Sequence, residues 1–229
     1  MDNSLYQVKL KCPVCGAAFK TSRVRSKSCA VESRDTDFCV YYKDYNPILY
    51  EAAVCAKCGY AAMLGSFNEI SPEDARTVHA KISGGWSQRD FGSKRSIEDA
   101  LDAYKLALYC CQLRKSISIG VLASICMRLA WLYRMAGDLK EESRFLGYAL
   151  EQYGKMYDRG KTPEKMDEIT LIYLIGELNR RLGKSKDAVV WFSMVVSHKM
   201  SRKRPLIVKM AREQWSLVRS QGEGRNRDE

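Results

Sequence analysis

Two stretches constrain this chain more than anything else in it: Cys12-Pro13-Val14-Cys15-Gly16 and Cys55-Ala56-Lys57-Cys58-Gly59. Each places two sulfurs on one tight turn. The glycine after the second cysteine lets the backbone fold back, so that its N–H groups point at the sulfurs. Two such turns brought together offer four thiolates around one point, a closed tetrahedral set that suits structural Zn²⁺. Cys12, Cys15, Cys55 and Cys58 are therefore the expected metal ligands. Two other readings compete. A Cys-Pro-x-Cys dithiol can do redox chemistry, but such motifs come singly at the start of a helix, and here there are two, both flanked by strand-like sequence. A catalytic zinc keeps one position open for water, and four thiolates leave none.

The remaining cysteines are 29, 39, 110, 111 and 126. Cys29 and Cys39 have no partner at knuckle spacing and read as free or buried thiols, with a place in the metal site left open for either. The last three fall in a helical pattern and read as small apolar filling. Met1 to Lys11 carries no hydrophobic signal core. Ala188 to Phe192, the longest apolar run, is too short to span a bilayer. The expectation is a cytoplasmic protein that does not engage a membrane, in a reducing setting where paired cysteines bind metal.

Around the knuckles the pattern has period 2. Gln7 to Lys11, Phe19 to Arg25, Ala30 to Arg34 and Ile48 to Val54 read as short strands, with Arg34 to Phe38 as a polar turn and Asn46-Pro47 as another. This is the outline of a zinc ribbon over residues 1–65, with an unusually long insert between the knuckles. From Ser66 the period becomes 3.6. A helix capped by Ser71 and a linker occupy 66–96. A helical domain follows over 97–220, and a polar tail, expected to be disordered, over 221–229. Starts are read at Ser96, before Val121, at Asp138, at Thr162-Pro163-Glu164, at Ser185 and at Pro205. The fold class is thus α+β: a small β head, then an all-α body.

The body repeats. Leu129 to Tyr133 with Gly137-Asp138 and Phe145 recurs as Ile175 to Asn179 with Gly183-Lys184 and Phe192. The order of small residue, turn glycine and aromatic resembles the tetratricopeptide (TPR) repeat, although the step is longer than its roughly 34 residues. The first helices of two pairs would line a groove, with Met127, Arg134, Tyr173 and Arg180 on its wall and Arg181 at its edge. Arginine forks suit carboxylates, so an acidic or C-terminal peptide of a partner protein is the expected ligand. The other outcome for these arginines is solvation, or pairing with Glu141, Glu142 or Glu177.

Net charge is +11, and from residue 116 onward twenty-one Lys/Arg face fourteen Asp/Glu. The run from Lys199 to Arg204 could hold a phosphate backbone, so binding of nucleic acid, RNA in particular, is the alternative function. Asp35 and Asp37 read as a turn that satisfies backbone N–H groups and pairs with Arg34. The sharper reading of them is a carboxylate pair for acid–base work. The tyrosines at 41, 42 and 45 read as packing for a small head. His79 and His198 have no nucleophile motif beside them, and no phosphate-binding glycine loop occurs. No catalytic residue is assigned, and the chain reads as non-enzymatic.

The run Arg34-Asp35-Thr36-Asp37-Phe38-Cys39, with Asn46-Pro47, Tyr50 and Cys55-Ala56-Lys57-Cys58-Gly59-Tyr60-Ala61, is similar to the head of the bacterial "domain of unknown function 2225" family. Arg128 to Arg134 and Tyr173 to Leu178 resemble its helical body. The resemblance covers nearly the whole chain. It implies a soluble bacterial protein with a zinc-ribbon head and a TPR-like tail, and it implies no activity.

Overall fold

The computed structural model describes residues 4–116, 118–164 and 166–225. The head is built from three separate antiparallel ribbons. Strands β1 (Leu5–Lys11) and β2 (Ala18–Val24) pair at seven positions, Leu5 opposite Val24 and Lys11 opposite Ala18. Strands β3 (Val31–Arg34) and β4 (Val40–Tyr42) form the second ribbon. Strands β5 (Ala52–Val54) and β6 (Ala61–Met63) form the third. The first and third ribbons turn at the two knuckles. The sequence suggests a strand from Ile48, but Pro47–Tyr50 is a 3₁₀ turn. Asn46 opens it by accepting the Ile48 N–H at 3.0 Å, and Pro47 presets φ for a turn and not a strand.

Among the described residues there are seven α-helices: α1 (Pro72–Ile82), α2 (Ile97–Gln112), α3 (Ile119–Ala136), α4 (Leu139–Asp158), α5 (Glu168–Arg181), α6 (Ser185–Ser197) and α7 (Pro205–Arg225). Ser71 caps α1 by accepting the Asp74 N–H, and Ser96 with Asp99 makes a full capping box on α2. Asp138 caps α4 at Glu141. One start differs from the sequence reading: α5 begins at Glu168, not at Thr162. Residues Pro163 and Met166 instead close a turn, and the Asp167 carboxylate takes the Thr170 N–H at 3.1 Å, so the stronger cap wins. Helix α7 runs on through Arg225, into the segment read as a tail; residues 226–229 lie outside the described residues.

The helices pack in chain order, α2 on α3, α3 on α4, α4 on α5, and α5 on α6 and α7. Tight turns at Gly137 (φ 80°) and Gly183 (φ 73°) reverse the chain within the α3–α4 and α5–α6 pairs. Gly176 lies so close to Phe192 of α6 that a Cβ there would come within 2.9 Å of the ring. Helix α3 is long and apolar enough to cross a membrane, but its Ile125, Leu129, Ala130 and Leu132 are buried, and α2 and α4 pack on it.

One hydrophobic cluster runs without a break from Cys12 in the head to Leu178 in α5, and a second joins α5, α6 and α7. Phe38, Tyr157 and Trp191 pack against both.

The segment between α1 and α2 is tied to the head and does not behave as a free linker. Trp86 Nε1 donates to the Ala56 carbonyl at 2.7 Å, and the Gly92 carbonyl accepts from Ser22 and Gln7. Arg95 is buried, and its guanidinium donates to the carbonyls of Leu49, Ala52 and Phe91, with the rings of Tyr50 and Phe91 beside it. Each of those carbonyls would lose a donor if the guanidinium were removed, at about 1–3 kcal/mol apiece. Arg95→Met is therefore expected to lower the urea midpoint well beyond a surface change such as Lys94→Met. Equal midpoints would show that water replaces the guanidinium without cost.

Candidate metal centre and the acidic turn

The two knuckles have the same local geometry. In the first, Gly16 N–H donates to the Cys12 carbonyl at 2.9 Å and Cys12 N–H to the Ala17 carbonyl at 2.9 Å. In the second, Gly59 N–H donates to the Cys55 carbonyl at 2.9 Å and Cys55 N–H to the Tyr60 carbonyl at 2.8 Å. Gly16 and Gly59 hold φ of 73° and 76°, left-handed conformations that a side chain resists. Gly59 has a second constraint. A Cβ there would meet the Trp86 ring at 2.6 Å, and that ring is fixed by its bond to Ala56.

These turns bring Cys12, Cys15, Cys55 and Cys58 together with all four Sγ atoms within 4.8 Å of one another. Cys12 and Cys58 lie 3.7 Å apart, as do Cys15 and Cys55. Hydrogen bonding to Cys12 and Cys55, with burial, pushes the Cys58 thiol far up, because four thiolates so close cannot all ionise without a cation among them. The set fits a metal ion and leaves no protein-side vacancy for a reacting water. Cys29 and Cys39 stand outside it. Burial and the Asp37 charge push the Cys39 thiol up to about 12.

The second notable site is the turn between β3 and β4. The β3 stem is exposed along its whole length, yet the tip, Asp35 to Phe38, is driven into the helical body. Asp37 is fully buried. Arg134 on α3 grips it with both forks, Nη2 to Oδ2 at 2.6 Å and Nη1 to Oδ1 at 3.1 Å. The same guanidinium takes Asp35 at 2.6 Å and Glu142 of α4 at 2.7 Å. Trp131 Nε1 donates to Asp37 at 3.1 Å. From α5, the Tyr173 hydroxyl donates to the Thr36 carbonyl at 2.8 Å, and the Thr36 hydroxyl donates to Glu177 at 2.5 Å. Arg181 lies 3.6 Å from Asp37 and 3.7 Å from Asp35. Phe38 holds φ of 70°, the one described non-glycine residue with positive φ, and its ring lies 5.6 Å from that of Tyr173.

The five residues expected to line a groove are therefore placed differently from one another. Arg134, Tyr173 and Arg181 do converge on one spot, and an acidic segment is there, but it is the chain's own. Arg180 turns away and pairs with Glu177 through two bonds of 2.7 Å. Met127 is buried in the core, because its position on α3 faces the packing and not the tip. Sequence reading missed Trp131 and Thr36 as members of the network, while the pairing of Arg134 with Glu142 and of Arg180 with Glu177 is the alternative it held open. Glu177 lies three and four residues before Arg180 and Arg181, on the same helix face. Asp35 and Asp37 face arginines and an indole, Asp35 also accepts from the Tyr41 hydroxyl at 3.1 Å and Asp37 from the Cys39 N–H at 3.3 Å, and the pair has the surroundings of an ion-pair anchor.

Between the head and the body lies a cleft of 1010 Å³, lined among others by Tyr50, Glu51, Met63, Ile119, Arg128 and Arg159. Its floor holds the Arg128–Glu51 pair at 2.5 Å. His198 is set against Glu168 at 3.3 Å, and its Nδ1 accepts the Met200 N–H at 3.1 Å. In the basic run, Arg204 pairs with Asp167 at 2.5 Å, while Arg202, Lys209 and Arg212 rim a shallow 380 Å³ depression beside α7.

Fold and site together define an α+β protein in which a four-cysteine head is locked onto a helical body by a buried acidic turn. The chain belongs to the family described as uncharacterized proteins conserved in bacteria, domain of unknown function 2225, whose model matches residues 5–218. Comparison with curated proteins and with solved structures gives no match.

Burial alone would raise the Asp37 pKa, but the hydrogen bonds and charge of Arg134, with the charge of Arg181, more than offset this and hold it below the usual carboxylate range. A depressed pKa adds stability that is present above the unfolded value of about 3.9 and is lost as pH falls through the folded one. Arg134→Met would leave Asp37 buried without its main partner, a loss of about 3–5 kcal/mol. Urea titrations of the parent and of Asp37→Asn should differ by a constant amount above about pH 5, and the gap should narrow as pH falls below the unfolded value of about 3.9 and close only below the lower folded one. A gap independent of pH would show that the carboxylate charge is not what anchors the turn.

Proposed function

We propose that this protein is a non-enzymatic adaptor of the bacterial cytoplasm, with a structural Zn²⁺ centre in its head and a TPR-like helical body that holds a segment of a partner protein. The observation that carries this reading is the body's own contact: α3 and α5 already hold a short acidic segment by arginine forks, an indole N–H and a tyrosine hydroxyl. The metal is part of the same reading. A tetrahedron of thiolates at about 2.3 Å from zinc has sulfurs about 3.8 Å apart. The separations of 3.7 Å across the two knuckles match that edge. Cys12, Cys15, Cys55 and Cys58 would hold the ion as a cross-link with no open position, which supports a structural role.

A second reading, an RNA-binding protein, is favoured by Arg202, Lys209 and Arg212 at the depression beside α7. It predicts affinity that falls steeply with salt and a slope reduced by about one for each of these residues removed.

Metal analysis of freshly purified protein should give one zinc per chain. Because three of the four cysteines belong to the core cluster shared with the helices, chelation should lower the thermal midpoint by on the order of 10 °C, not merely loosen the head. Protein purified without zinc, or indifferent to a chelator, would overturn the metal assignment. Capture of a specific protein partner by the tagged full chain in the native bacterium tests the adaptor role, and capture of RNA alone would replace it with the second reading.

A further inference from the structure

The acidic turn is held in a way that ordinary loop packing does not need. Its stem is a two-stranded ribbon, exposed on β3, irregular in register between Val31 and Ser33, and paired with neither of the other ribbons. Such a ribbon is marginally stable alone. Its attachment to the body lies at the tip, and the contacts made there with α3 and α5 have the form a bound peptide would make. Two carboxylates, spaced i and i+2, meet Arg134 and Arg181. The main-chain carbonyl between them meets Tyr173. The aromatic that follows meets the Tyr173 ring at a tilt of 51°, centroids 5.6 Å apart. The backbone at that aromatic is in a conformation a free peptide would not prefer, φ 70° at Phe38. The seat on α3 and α5 thus recognises charge, main chain and aromatic together, and it is filled by a strained occupant on a weak stem.

We propose that the seat formed by Trp131, Arg134, Tyr173 and Arg181 is a receptor for short Asp-x-Asp-aromatic segments of partner proteins, and that Asp35 to Phe38 is a resident, displaceable copy of that ligand. The inference rests on the adaptor reading and names the chemistry of its partner. The resident copy benefits from a tethered effective concentration of about millimolar, so a partner segment competes only when it presents the same pattern in a better backbone geometry or when the ribbon is loosened. The seat tolerates removal of the occupant's charge, since Arg134 keeps Glu142 and Arg181 keeps Glu177.

The test uses the full chain with its metal and a fluorescent peptide of residues 33–39 carrying Cys39→Ser. Asp35→Asn with Asp37→Asn should loosen the resident turn and raise peptide affinity roughly tenfold over the parent. Arg181→Gln added to that variant should reduce the affinity again, and a peptide with both aspartates changed to asparagine should not bind. If the double variant does not fold, Phe38→Ala, which removes the ring contact and keeps both carboxylates and the positive φ of a side-chain-bearing residue, takes its place with the same expected gain. Peptide that fails to bind the loosened, folded chain, or that binds regardless of Arg181, overturns the proposal. The adaptor reading is judged apart from it. A partner captured by the parent and retained by Arg181→Gln would leave the adaptor standing and dismiss this seat. Peptide bound by the loosened chain with no partner captured would support the seat and count against the adaptor.

Discussion

The fully buried Asp37 carboxylate and the Arg134 fork that grips it set the terms for the rest of the molecule. A buried ion pair gives up hydration on both sides and is tolerated only if further hydrogen bonds satisfy what remains. Here they do. Trp131 and the Cys39 N–H complete Asp37, while Asp35 and Glu142 complete Arg134. Four carboxylates (Asp35, Asp37, Glu142 and Glu177) face three guanidiniums (Arg134, Arg180 and Arg181). The surplus negative charge is relieved at Asp35, whose side chain is one third exposed. The neutralised network lets Phe38 sit against both hydrophobic clusters, so one turn of the head joins the two cores of the body.

The four-cysteine centre works on the same segment from the other end. It closes the chain between Cys15 and Cys55, and the β3–β4 ribbon lies inside that closed loop. The base of the insert is fixed by sulfur and its tip by arginine. A loop tied at both places loses most of the conformational freedom that would otherwise oppose its order. This explains how an insert with little core of its own, three residues of it paired on each side, holds a defined position. It also couples the two sites. Separating the four sulfurs would free the base of the ribbon and leave only the tip contacts to hold it.

Local chemistry was legible where it acts over a few residues. The knuckles, the caps at Ser71, Ser96 and Asp138, and the turns at Gly137 and Gly183 follow from residue type and spacing alone, because each is satisfied by backbone groups within one turn of chain. The start of α5 was misread because Thr162-Pro163-Glu164 and Asp167 are both valid openings, and the choice between them depends on what the loop packs against. Asp35 and Asp37 could be seen as a charged turn, but nothing local says that their partner is an arginine nearly a hundred residues away.

The sequence by itself determined most of the element types and the four sulfurs, and it put Arg134, Tyr173 and Arg181 on one expected wall, since periodicity, turn chemistry and ligand spacing are properties of short stretches. Only the tertiary structure decided which carboxylate arrives. The positions that would face an acidic partner are met by the chain's own turn, because a ribbon tied at the knuckles is held near them, and a tethered ligand prevails over one that must diffuse in. Met127 and Arg180 share the same helical spacing as the residues that do engage the turn, yet one faces the core and the other its neighbour Glu177. Helical spacing fixes which residues share a face, and the packing of head on body fixes which part of that face meets the turn.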